Sequence, residues 1–168
     1  MNMAMMPKTP PVKPKLALVF SSMGFIGLII FAMNQPPPNR SEDLAMHIHV
    51  RLSVSIEGRN FAVPSDIGIS RELWIDHSLD DFNPEGMSPL HTHDSSGTIH
   101  VESTVVRNYT LGEFFDVWGV RFDDRCISDY CSNEGYALRA YANGNQIPDP
   151  RDYVLSDGDE LLVELGSK

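Results

Sequence analysis

Five of the six histidines in this 168-residue chain stand in two short patterns. His47-Ile48-His49 opens one alternating run; His91-Thr92-His93 opens another, and His100 follows shortly after. In a β-strand, residues i and i+2 project to the same side, so each His-x-His pair can aim two imidazoles at one point. Three or four such imidazoles would suit Zn(II) or Cu(II), with Asp94 or Glu102 as an oxygen ligand. The same residues also suit a metal-free polar network, in which the histidines bond to Asp94, Glu102 and backbone groups. Catalysis or pH sensing is a third use of clustered imidazoles. A metal-bound water with Asp94 as base would resemble a hydrolase site. However, the chain carries no nucleophile elbow, phosphate loop or convincing catalytic triad, which weighs against an enzyme.

The elements that must position these histidines are legible. From His47 to Ile56 the pattern alternates: Ile48, Val50, Leu52, Val54 and Ile56 share one face, while His47, His49, Arg51, Ser53 and Ser55 share the other. Glu57-Gly58-Arg59-Asn60 has hairpin-turn chemistry, and Phe61 to Val63 is the expected return strand. A second hairpin is expected over Leu90–Glu102, around Asp94-Ser95-Ser96-Gly97. A four-residue loop pairs His93 with Thr98, Thr92 with Ile99, His91 with His100 and Leu90 with Val101. That register keeps Leu90, Ile99 and Val101 on one face and all three histidines on the other. A three-residue loop would mix the faces, because a one-residue slip moves a strand's whole apolar set. Whether the first hairpin lies beside the second is left open at this level. The stretch from Ser65 to Ser88 has no assignable regular structure.

Thr110-Leu111-Gly112-Glu113 is a capping box. Leu111, Phe114, Phe115 and Trp118 then recur at helical spacing, and Gly119 ends the run. This predicts one short helix packed on the sheet through four large apolar groups. Leu138, Ala140 and Ala142 form an alternating strand before an Asn143-Gly144 turn. Asp157-Gly158-Asp159 makes the last turn, before a final strand through Leu161, Val163 and Leu165. Cys126 and Cys131 are the only cysteines. A local disulfide is expected for them in an oxidising compartment, stapling the loop between Asp123 and Gly135. A metal pair would need two further ligands, and the C-x-x-C spacing of a redox motif is absent.

Leu16 to Met33 is an uncharged apolar run of near-spanning length, flanked by Pro-rich stretches. An uncleaved anchor fits it better than a signal peptide, because Ile30-Phe31-Ala32 is a poor cleavage site. Lys8, Lys13 and Lys15 precede it, which predicts a cytoplasmic N-terminus and an extracytoplasmic C-terminal domain. The expected order is a tail at 1–15, a transmembrane anchor at 16–33, a Pro-rich linker at 34–45 and a domain at 46–166. Asn39-Arg40-Ser41 and Asn108-Tyr109-Thr110 would be accessible to export-side glycosylation. Residues 41–168 hold nine basic and all 23 acidic residues, a net −14. A body so acidic has no basic face for phosphate, so nucleic acid is not an expected partner. It would suit a basic protein partner in the cell envelope.

Strands before and after one short helix indicate an α+β roll. The closing run YANGNQIPDPRDYVLSDGDELLVEL resembles the end of a β-grasp (ubiquitin-like) domain. Small sulphur carriers of that fold finish in Gly-Gly; this sequence ends Gly166-Ser167-Lys168, which argues against carrier activity. More broadly, HIHVRLSVSIEGRNFAVPSDIGI, LHTHDSSGTIHVES and YTLGEFFDVWGVRF are similar to segments of uncharacterised membrane-anchored or secreted proteins of archaea and bacteria. That resemblance spans most of 47–165 and implies no function. The resulting expectation is a membrane-anchored, extracytoplasmic β-grasp-like domain binding divalent Cu or Zn through His91, His93 and His100. His47 and His49 are weaker candidates, and Asp94 and Glu102 are possible oxygen ligands. The alternative is a non-enzymatic accessory subunit of an envelope complex, with a structural histidine network.

Overall fold

The computed structural model describes residues 44–82 and 86–168. The expected anchor, the cytoplasmic tail, the Asn39 sequon and nearly all of the linker lie outside the described residues. Among the described residues, no helix is long and apolar enough to cross a membrane.

Strand β1 runs Met46–Ile56, and its even-numbered residues turn inward, as the alternation requires. A two-residue turn, Glu57-Gly58, leads into β2, Arg59–Phe61. This corrects the expected four-residue turn and a return strand at Phe61–Val63. Glu57 and Gly58 both take positive φ, 52° and 76°, the signature of the tight turn whose twist matches antiparallel strands. Phe61 is consequently exposed, while Val63 is buried beyond the strand end. Strands β3 (Leu90–His91) and β4 (Thr98–Ser103) form the second hairpin. The helix α1 (Leu111–Trp118) follows. Strands β5 (Cys126–Ile127) and β6 (Tyr130–Cys131) make a separate small hairpin. The chain closes with β7 (Tyr136–Ala142), β8 (Asn145–Ile147) and β9 (Glu160–Ser167).

The main sheet is mixed, in the order β3-β4-β1-β9-β7-β8, with β2 also on β1. Its centre is a parallel pair, β1 and β9, registered from Arg51 opposite Glu160 to Ile56 opposite Leu165. All other pairings in it are antiparallel. The α1 capping box is complete: Thr110 accepts from the Glu113 N–H, and Glu113 accepts from the Thr110 N–H. Gly119 caps the other end at φ 76°. The helix buries Leu111, Phe114, Phe115 and Val117 in the same hydrophobic core as Val50, Leu52, Val163 and Leu165 of the sheet's inner face. Trp118, expected in the core, is only partly buried, and Val117 takes its place. The unassigned stretch from Ser65 to Ser88 contains short 3-10 turns at Arg71–Leu73 and Asp80–Phe82, with Ile67 and Leu79 buried. Cys126 and Cys131 face each other across β5–β6 and are joined as a disulfide.

Candidate metal centre

The registers of β3, β4 and β1 lay three histidines in one row. His91 is opposite His100 on one side of β4, and His49 is opposite His100 on the other. One step along, His47 is opposite Glu102. Neighbouring strands lie about 4.8 Å apart, so side chains on one face of such a row must touch. They do. Ring centroids are 4.7 Å apart for His47–His49, 4.6 Å for His49–His100 and 5.5 Å for His91–His100. The expected register of the second hairpin is therefore the observed one at Leu90–Val101 and His91–His100.

Beyond His91 the expectation gives way. Thr92 leaves the ladder and pairs with the segment before it: its N–H donates to Ile67, its carbonyl accepts from Asp66, and its hydroxyl donates to Pro64 at 2.8 Å. His93 is thus no strand residue facing Thr98. The chain bends, and His93 folds back so that its Nε2 lies 3.2 Å from His91 Nε2. Its ring also sits 4.7 Å from that of His100. The loop spans residues 92–97 and is held against β1 by the Leu52 N–H, which donates to Gly97 O at 2.8 Å. Gly97 has φ 81°, and a Cβ there would meet Leu52 O at 2.2 Å, so only glycine lets the loop seat.

His91 is fully buried, 0% exposed. Its Nδ1 lies 3.0 Å from the Ser88 carbonyl. A carbonyl only accepts, so Nδ1 carries the proton and Nε2 presents its lone pair to His93. This is the orientation that outer-sphere carbonyls impose on metal-bound histidines. Burial pushes the His91 pKa down to about 4, and burial followed by the neighbouring His93 and His49 lowers that of His100. Both imidazoles are therefore neutral at neutral pH, the form that binds metal. His100 Nδ1 is buried and, among the described residues, has no hydrogen-bond partner; Glu102 Oε1 is 4.0 Å away.

Two donor groups result. His91, His93, His100 and Glu102 each offer an atom within 4.8 Å of the others, as do His47, His49 and His100. All five histidines named by the sequence are thus brought together, with Glu102 among them. Asp94 is not in either group. Its Oδ1 accepts from the Ser96 N–H at 2.8 Å, and the Ser96 hydrogen bonds hold its pKa below the usual range, so it serves the loop as a turn cap. Sequence reasoning missed Ser88, whose backbone orients His91, and, though it placed the turn at Asp157-Gly158, missed that turn's contact with His49. That turn pins His49: Asp157 Oδ1 accepts from its N–H at 2.9 Å, and Gly158 N–H donates to its carbonyl at 2.8 Å. Ser88 had no local signal, because a carbonyl acceptor exists at any residue.

Searches against models of known protein families, curated proteins and solved structures find no match to this chain.

Proposed function

We propose that this chain is a metal-binding protein that holds one Zn(II) or Cu(II) ion among His91, His93, His100 and Glu102. In this reading a β-grasp-like domain displays the site outside the cell on an anchor at residues 16–33. The central parallel pairing of β1 with β9, flanked by antiparallel strands, supports the β-grasp reading. The observation that carries the metal reading is the meeting of three imidazoles and a carboxylate, one of the imidazoles, His100, having a buried Nδ1 with no hydrogen-bond partner among the described residues. At metal–nitrogen bonds of about 2.0–2.1 Å, two nitrogens 3.2 Å apart subtend roughly 100° at a shared ion, close to a tetrahedral angle. An N₃O set without thiolate suits Zn(II) or Cu(II) over softer ions.

The test is metal uptake by the purified full chain after dialysis against Zn(II) or Cu(II). The expected result is tight binding that His91→Ala with His93→Ala abolishes. His93→Ala alone, at an exposed position, should weaken binding at least tenfold without unfolding the domain. Equal uptake by both variants would overturn the reading.

One observation favours the accessory-subunit reading. Phe61 and Tyr130 are 43% and 42% exposed, with rings 5.9 Å apart, beside a groove lined by Val54, Ile56, Trp118 and Ile127. Exposed paired aromatics are typical anchors of protein contacts. Capture of a membrane partner that is indifferent to chelator and lost in Phe61→Ser with Tyr130→Ser would support this reading over the metal one.

A further inference from the structure

The ladder contains more donors than one ion uses. Five imidazoles and a carboxylate make six, whereas Zn(II) in proteins takes four, occasionally five. Nor do the six converge on one point, for they fall into two groups that share His100. One group closes around the buried His91; the other, at His47 and His49, faces solvent, with the His47 side chain 46% exposed. Glu102 belongs to the first group but also reaches the second: its Oε1 is 3.4 Å from His47 Nε2 and 4.0 Å from His100 Nδ1.

From this geometry we infer that the ladder binds a second divalent cation, at His47 and His49, joined to the first through Glu102. The inference rests on the metal reading above and extends it. A carboxylate offers two oxygens and about four lone-pair directions, so one group can serve two ions. Bridging carboxylates of this kind hold paired metals roughly 3.5–4 Å apart, where a shared anion offsets the repulsion of two cations. The two sites are unequal. The first has three imidazoles, with His91 fully buried and the His100 side chain only 20% exposed, so its coordination is completed mostly by protein. The second has two exposed imidazoles and a shared carboxylate, so water or a small anion fills its remaining positions. It therefore binds more weakly, exchanges faster and is the member of the pair that an outside ligand can reach. The backbone at His49 is nonetheless rigid, held on one side by Asp157 and Gly158 and on the other by pairing with His100.

Cu(II) titration of the full chain tests this, with stoichiometry followed by calorimetry and EPR. The expected result is two ions per chain, the second at least tenfold weaker, with spin–spin broadening of the EPR signal appearing only as the second ion enters. His47→Ala with His49→Ala should reduce the count to one, remove the broadening and leave the tight affinity within threefold. Both side chains are exposed, so the variant is expected to melt as the parent does. Glu102→Gln should weaken both sites. His77, which pairs with Asp80 at 3.1 Å and belongs to neither donor group, is the control: His77→Ala should still bind two. Saturation at one ion, or two ions bound by the His47/His49 variant, would overturn this inference and leave the first site standing. No uptake at all would overturn both.

Discussion

Two buried polar centres in this domain have opposite characters. Asp159, 6% exposed, lies at the start of β9 with its carboxylate fully engaged: Asn143 Nδ2 donates at 2.8 Å, the Tyr153 hydroxyl at 3.0 Å and the Ser156 N–H at 2.9 Å. Asn143 in turn accepts from the Glu160 N–H. Every polar atom has a local reason to be there, and the result is a locked turn. The histidine ladder is as crowded, yet it packs like bases together and leaves His100 Nδ1 without a partner among the described residues. Native proteins rarely bury a polar atom unpaired, and a bound ion is one way to satisfy such an atom. A satisfied buried network stabilises by its own bonds; an incomplete one is poised for something from outside.

The first way to sharpen that contrast is to remove Asp159. Asp159→Ala should destabilise the domain by about 3–4 kcal/mol, since three donors lose a buried charged acceptor. Chemical denaturation would show the loss, and added Zn(II) should shift the variant and the parent equally. Metal should act on the other centre alone. At free Zn(II) a hundredfold above Kd, the parent gains about 2.7 kcal/mol, roughly 10 °C in Tm. His93→Ala, with binding at least tenfold weaker, should keep at most about 1.4 kcal/mol of that gain, and a full Zn(II) shift in it would erase the distinction.

Acid should also separate them. His91 has its pKa lowered by burial to about 4, against about 6.5 in the unfolded chain. Between those values the unfolded chain binds the extra proton, so stability falls as pH drops from 6.5 toward 4 and levels off below. The metal-free chain should lose about 2 kcal/mol between pH 7 and 5 by this route. His91→Gln should flatten the slope; an unchanged slope in urea titrations would place the acid sensitivity elsewhere. Gly97→Ala should cost about 1–2 kcal/mol from its positive φ alone, and more from the Cβ that would meet Leu52 O at 2.2 Å. It should weaken metal binding as well, because Gly97 seats the loop that carries His93.

What could be read from the chain divides along the same line. The alternation of β1, the Thr110 capping box, the Asn143-Gly144 turn and the pairing of His91 with His100 all rest on local chemistry, and each stands in the fold. The departures come from contacts between distant segments. Thr92 prefers Pro64 and Ile67 to its neighbour on β4, and nothing in LHTHD announces that. Likewise the approach of His49 to His100 is decided by β1 joining β4 edge to edge, a choice between segments about fifty residues apart. Asp94 illustrates the reverse: its nearness in sequence suggested a ligand, but the adjacent Ser96 N–H, two residues on, claims its oxygen.

The parallel pairing of β1 with β9 carries a consequence for how the protein is made. Leu52 finds its partner Leu161 only after more than a hundred further residues have been synthesised. Until then the strand bearing His47 and His49 has one bare edge, which is a template for mispairing with other chains. Contacts of such long sequence separation form slowly. Assembly of the ladder's supporting sheet is therefore a late event, and a nascent chain stalled before residue 160 would carry its histidines without the scaffold that aims them.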